Sequence, residues 1–442
     1  MPVLDPAQLS ALPAPLWFIT LFKIIGFVLH LLAMNLWLVG LPLALLLYLC
    51  GGANGRTFAR RLLKQMPIIM ALGVNFGIVP LLFVQTAWYK PFYTSTILLA
   101  VHWFAILLLV MVGYYALYAC SHLVDKEAAR WKVWLCGTIP VLCLTASGLI
   151  FASVWTFMAC PDAWPAVWEK TFASGAVSGL GTFWRNPQVF VRFGIVAGLA
   201  LLTTGFWTLF DARFLMVSGG SSEGAVTSGA KSAAPRPVQQ SVPKLSKKEK
   251  KRRRMQGLED DDFDEEYAAL EAEEKAQQEA KSKSHPAPAG SNYESWSLRF
   301  ATSLIWLGAL AAGGLTWYYY FVQLDSKALT LTWLYSSPWK WLLWGTICAP
   351  LLTAGLATLG QWGKLSRSPL VLAITLSHLT TLAAYATTRQ LVQNCQLASW
   401  WNVTVLPEAT QWSPLYAFVG VFAFTLLVIL WMIRQMARAS KA

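Results

Sequence analysis

Charge is scarce in this chain. Asp, Glu, Lys and Arg make up 13% of its 442 residues, about half the share found in a soluble globular protein. That shortage excludes an ordinary soluble domain. Paired cysteine motifs are missing as well: the seven cysteines, at positions 50, 120, 136, 143, 160, 348 and 395, form no CxxC and no CxxCH. Thiolate zinc sites and covalent c-type haem attachment are therefore unsupported. Most of these cysteines lie in apolar runs and read as small buried hydrophobes. Cys160 and Cys395 fall in expected outer loops, where a disulfide between them is one arrangement. The opening stretch MPVLDPAQLSALPAP lacks the basic region of a secretory signal, so the first apolar run reads as a retained helix. No internal repeat is visible, which argues against a transporter made of inverted halves. The alternating pattern of a membrane β-barrel is absent from the long runs.

What the chain does have is apolar length. Hydrophobic residues are 56% of the sequence and tryptophans number 23, and aromatic rings favour membrane interfaces. Nine runs, near 16–49, 67–88, 93–120, 133–158, 188–215, 297–322, 338–361, 369–388 and 413–434, are each long enough to cross a hydrocarbon core of about 30 Å. The expected fold class is an all-α polytopic membrane protein with about nine transmembrane helices. Loops 50–66, 121–132 and 362–368, the segment 217–295 and the tail after 434 hold the positive excess, and the alternating loops are near neutral. Positive charge stays inside, so the N-terminus is expected outside and the C-terminus in the cytoplasm of a bacterial inner membrane. The net charge of +13 is then a topology signal, not a nucleic-acid signature.

Residues 217–295 break the pattern. KLSKKEKKRRR is followed by EDDDFDEEYAALEAEEKAQQEAK, with Ser/Pro/Gly-rich tracts on either side. Blocks of like charge with few apolar residues cannot build a core. A disordered cytoplasmic loop is expected, with an exposed helix near 264–280 and a solvated His285. The chain thus divides into a five-helix region (1–216), the charged loop (217–295) and a four-helix region (296–442).

Polar groups inside spans mark candidate sites, because they are expensive there. The stretch from Gly73 to Tyr118 holds Asn75, Gln85 and His102, and His30 and His378 lie in other runs. His122 sits at a helix end, where a capping or solvated role suffices. At a rise of about 1.5 Å per residue, His102 is about 14 Å from an outer helix end near Tyr93, and His378 is about 16 Å from Arg389. His30 is slightly deeper. Three imidazoles at matched depth on different helices suit axial ligation of haem iron. Satisfied structural histidines and a proton relay are the alternative readings. Gly73, Gly77 and Pro80 thin the second helix, either for close helix approach or to make room for a flat ring.

The motifs have a family pattern. The first span reads HLLAMNLWLVGLPLALLL from His30. The second reads GVNFGIVPLLFVQTAW, with Gly73, Asn75, Gln85 and Trp88. The fifth opens NPQVFVRFGIV, with Asn186, Pro187, Arg192 and Phe193. Over about residues 16–215 this resembles, distantly, the larger subunit of the cytochrome bd quinol oxidase superfamily. The resemblance implies nine spans, a haem ligand at His30 and a second at His102, where the family carries a glutamate. Gly194 or Ile195 stands where the family has its fifth-span histidine. The family's long outer quinol-binding loop is here only residues 323–337, and residues beyond 296 match no family motif.

The resulting expectation is a b-type-haem electron-transfer subunit that meets quinol or quinone in a respiratory complex, beside other membrane or periplasmic cytochrome subunits. His30 and His102 are the expected iron ligands and His378 the third candidate. Arg192 suits a haem propionate, since guanidinium matches carboxylate. Gln85, Trp88 and Asn75 are expected to shape a quinone pocket. A transporter or channel without a redox cofactor remains an alternative, as does a structural subunit recruiting a soluble partner through 217–295.

Overall fold

The computed structural model describes residues 11–215, 290–324, 339–361 and 367–439. Inside a bilayer every backbone N–H and C=O must be satisfied within the segment, and the long apolar runs accordingly form helices. In chain order these are α1 (Leu16–Asn35), α2 (Leu41–Cys50), α3 (Ala53–Ala87), α4 (Tyr89–Leu98), α5 (Ala100–Asp125), α6 (Arg130–Met158), α7 (Trp164–Thr171), α8 (Pro187–Phe210), α9 (Gly290–Tyr318), α10 (Trp339–Gln361), α11 (Arg367–Leu397) and α12 (Trp412–Ala439). Eight spans among the described residues are long and apolar enough to cross a membrane, α1 with α2 counting as one. The ninth expected run coincides with α12, whose described apolar stretch is Trp412–Thr425.

Three differences from the expectation bear on the site. Residues 50–66 do not form a loop: α3 begins at Ala53, so Arg56, Arg60, Arg61 and Lys64 ride on helical turns. No breaker stands between Thr57 and Gln65, and Arg, Leu, Lys and Gln are good helix formers. The third span starts at Ala100 rather than 93. Residues 89–98 form a separate short helix that ends at Leu99, where the backbone leaves helical geometry (φ −109°, ψ 29°). The loop between α7 and α8 fills that break. Val101 N–H donates to the Gly179 carbonyl, and Gly181 N–H donates to the Leu98 carbonyl, both at 3.0 Å. Gly179 has φ +70°, and a Cβ there would lie 2.8 Å from that of Ala100, so a bare glycine lets the loop approach. Third, α1 and α2 join through a π-helical segment, Leu36–Gly40. Pro42 follows at once and cannot donate to the ladder, which favours a local change of hydrogen-bond period.

α1 runs antiparallel to α3, α5 to α6, and α10 to α11, and these are the most extensive helix pairs. One apolar core, around Leu41, Phe58, Leu62, Met66 and Met70, fills the end where α2 meets α3. Another, around Phe18, Ile19, Val84, Trp88 and Phe92, fills the opposite end. That second end is closed by Leu12, whose N–H donates to Pro407 O, and by the Glu408 carboxylate, which accepts from Leu16 N–H. Cys160 lies here with no disulfide, and burial raises its thiol above the usual range. The expected charged loop 217–295 lies outside the described residues as far as 289, with its helix near 264–280 and His285, but its last six residues are helical, because α9 begins at Gly290. Residues 325–338 also lie outside the described residues.

Candidate functional site

The two ends of the helix array treat charge in opposite ways. At the α2–α3 end, three cations of α3 each have an acid. Arg61 grips Asp211 through Nε (2.8 Å) and Nη2 (2.9 Å), Arg60 pairs with Glu127 at 2.6 Å, and Lys64 pairs with Asp125 at 2.5 Å. At the other end Lys23, Arg192 and Arg389 sit among neutral partners. Among the described residues no carboxylate pairs with any of them.

Lys23 projects from α1, is 5% exposed, and places Nζ 3.8 Å from the Trp88 ring centroid. That ammonium has no hydrogen-bond acceptor among the described residues. Trp88 is fully buried and donates Nε1–H to Asn394 Oδ1 at 3.0 Å. Arg192, near the start of α8, donates Nε–H to Tyr319 Oη at 2.9 Å, Nη1–H to Trp155 O at 3.3 Å and Nη2–H to Gln396 Oε1 at 3.1 Å. Tyr319 opens a π-helical segment, Tyr319–Gln323, a local geometry often found at functional sites. The Arg389 guanidinium on α11 stands 4.7 Å from the Phe27 ring and 5.9 Å from Trp155. It lies within electrostatic reach of both Lys23 and Arg192. Cation–π contacts offset part of the desolvation of a charge, but three like charges in a low-dielectric setting need an anion.

His30 lies between these cations and the π segment of α1, and faces α3. Its Nδ1–H donates to the Gly73 carbonyl at 2.8 Å. A second hydrogen bond of this kind fixes ring orientation and tautomer, and leaves Nε2 with a free lone pair. Glycines make the approach possible: a Cβ on Gly77 would lie 2.8 Å from His30 Nδ1, and one on Gly73 would lie 2.2 Å from the Trp37 ring. Gly77→Val should therefore push the imidazole off Gly73 O. If His30 holds a metal, affinity should fall by about tenfold or more, the usual cost of losing an orienting partner, as read by metal or cofactor content per protein.

The other expected residues occupy separate settings. His102 is the third residue of α5, not about 14 Å into a helix, because the helix begins at Ala100. It is half-buried against Trp184 of the loop between α7 and α8, ring centroids 6.0 Å apart, and its buried Nδ1 has no partner among the described residues. His378 is fully buried on α11, with Nε2 2.9 Å from Thr203 Oγ1 and its ring against Phe206. Among the described residues no hydrogen bond or ring contact joins any two of these histidines, and His102 stands at the start of its helix rather than at the distance along it that the sequence suggested. Asn75 is exposed on α3, its Nδ2–H donating to Ala71 O at 2.8 Å. Gln85 stands ten residues on, about 15 Å along the helix, where its Oε1 meets the Tyr93 hydroxyl at 3.5 Å. Tyr93 lines an open groove of about 380 Å³ with Tyr89, Lys90 and Trp168. Asn75, Gln85 and Trp88 thus face three different environments. Sequence reasoning passed over Lys23 and Arg389 as site residues. For Lys23 the signal was present as a lone cation inside an apolar run; Arg389 stands just past the end of one, in a polar stretch.

The arrangement of helices is shared with a solved oxidase. That structure is the bd oxidase from Geobacillus thermodenitrificans, which matches with a TM-score of 0.55 over 95% of this chain and 98% of that one, at 11% sequence identity. The distant resemblance read from the motifs of the first five spans therefore extends to the fold of the whole chain. No protein-family model matches the sequence, and no curated protein matches it either.

Proposed function

We propose that the chain is a membrane electron-transfer subunit of a respiratory complex that holds b-type haem and exchanges electrons with quinol. The observation that carries this reading is His30. Its ring is oriented by Gly73 O, its Nε2 is free, and it sits on a fold shared with a bd oxidase. The residues fit the group on a second count. The buried, acceptor-less Lys23 ammonium, with Arg192 and Arg389, supplies the cationic end that two propionate carboxylates require. Bound haem would supply one-electron chemistry at a potential set by its axial ligand and surroundings. The chain's own residues would do the rest. His30 binds, Gly73 orients, Gly77 clears space, and the three cations hold the carboxylates and raise the electron affinity of the site. His102, with an unpartnered nitrogen at the outer end of α5, is the candidate for a second iron. Gln85 and Tyr93, beside the groove on α4, are the residues placed to meet a quinol head group at the membrane edge. Bacterial inner membrane and companion cytochrome subunits follow from the same reading.

An absorbance spectrum of the purified protein, as isolated and after dithionite, tests it. A Soret band with reduced α and β bands is expected. A colourless protein that is folded and fully inserted would end the electron-transfer reading and leave a transporter, or a structural subunit recruiting a soluble partner, in its place.

A further inference from the structure

α8 and the π-helical segment that continues it, Asp211–Leu215, carry a buried polar stripe that the haem reading does not use. Asp211, Thr208, Thr204 and Thr203 follow one another from the α2–α3 end inward, over about 12 Å, and all are 1% exposed or less. Each threonine donates its hydroxyl to the carbonyl four residues back, Leu199, Ala200 and Thr204 in turn, at 2.8 Å. That leaves the oxygen lone pairs as acceptors along the stripe.

The inner end of the stripe is short of donors. Thr203 Oγ1 receives Nδ2–H of Asn35 at 2.8 Å and meets His378 Nε2 at 2.9 Å. Its own proton is committed to Leu199 O, so Nε2 must carry the hydrogen and His378 Nδ1 is a bare lone pair. Asn35 and His378 are both fully buried, and Asn35 Oδ1 and His378 Nδ1 have no partner among the described residues. At the α2–α3 end of the stripe the Tyr293 hydroxyl is likewise buried and without a hydrogen-bond partner among the described residues, within electrostatic reach of Asp211 and Arg61. A buried acceptor without a donor is costly, and native proteins commonly resolve the deficit with ordered water. Gly40 faces the stripe: a Cβ there would stand 3.4 Å from Thr204 Oγ1 and from Leu36 Cδ2, so a methyl would sit directly against the threonine hydroxyl.

We infer that Asp211, Thr208, Thr204 and Thr203 line a file of internal water molecules that enters beside Tyr293 and ends on Asn35 and His378. The file supplies the missing donors and opens the membrane interior to solvent exchange from the α2–α3 end. It needs neither haem nor quinol.

Water-edited solid-state NMR of the full chain, ¹⁵N-labelled at histidine and reconstituted in liposomes, reads this directly. His378→Asn assigns the His378 resonance. The expected result is polarisation transfer from water to His378 Nδ1, at the shift of a hydrogen-bonded nitrogen. Thr204→Val with Thr208→Val should abolish that transfer, Thr204→Ser with Thr208→Ser should keep it, and Gly40→Ala should reduce it by setting a methyl against the Thr204 hydroxyl. A His378 Nδ1 that shows a bare lone-pair shift and no transfer from water in the wild type would overturn the proposal. So would transfer that persists undiminished in the valine variant. A valine variant that fails to fold leaves the wild-type shift and the Gly40→Ala comparison to decide.

Discussion

On the proposed haem reading, replacing His30 with alanine should strip the protein of its main haem signal while leaving it in the membrane. Insertion survives because the substitution makes the first span more apolar. The fold should survive too, since His30 contributes one hydrogen bond to Gly73, a net of about 1 kcal/mol. The cofactor should not, because an axial nitrogen is removed from a ring already oriented for it. The expected result is loss of the Soret band in proportion to protein, or its shift to a different spin state where a second ligand retains the group. Lys23→Met separates the two halves of the site. It removes a buried charge that lacks an acceptor, so it should not destabilise the apo-protein, yet it should weaken retention of a dianionic group. His285→Ala, in the charged loop, is the silent control. An unchanged spectrum in His30→Ala would remove this histidine from the iron.

Much of the fold was legible in the sequence, for a simple reason. A bilayer permits few structures, so a run of apolar residues about 20 long is close to a direct statement of a helix. The same rule fails at the edges. Arg56, Arg60, Arg61 and Lys64 read as a loop because they are charged, but charge at a membrane surface is no bar to helix, and α3 simply continues out of the hydrocarbon. Residues 93–99 read as the start of a span because hydropathy does not register a break. That break depends on Gly179 and Gly181 arriving from eighty residues away to satisfy Val101 and Leu98. The depth argument for His102 fell with it.

The candidate site was legible in part. His30 and the glycines of GVNFG were visible as a motif, and the structure puts them in contact. The cation cluster was not visible, because Lys23, Arg192 and Arg389 lie on three helices and only packing brings them to Trp88 and Trp155. The bond between His378 and Thr203 crosses 175 positions, and no periodicity within one helix predicts a contact across two.

The largest effect on stability is expected at the other end of the molecule, in Asp211→Ala. Asp211 is 1% exposed and accepts two hydrogen bonds from Arg61 and a third from Gln65 at 3.2 Å. Gln65 in turn accepts from Trp207 Nε1–H at 3.2 Å, so the carboxylate anchors α8 to α3 through a connected network. Removing it leaves the Arg61 guanidinium without its anion. Breaking a fully buried pair costs about 3–5 kcal/mol. The Arg61 side chain is 30% exposed, and solvent screening reduces the figure to about 2–3 kcal/mol. Glu127→Ala offers the contrast, because Arg60 and Glu127 are 41% and 53% exposed and such surface pairs contribute about 0–1 kcal/mol. Thermal unfolding in detergent, followed by loss of helical circular dichroism, should therefore show a Tm several degrees lower for Asp211→Ala and nearly unchanged for Glu127→Ala. The double variant Arg61→Leu with Asp211→Leu should recover much of the loss, since apolar replacement of both partners removes the stranded charge together with its counter-ion. Equal Tm values for Asp211→Ala and Glu127→Ala would mean that the two pairs are solvated alike and that α8 is held to α3 by apolar packing alone.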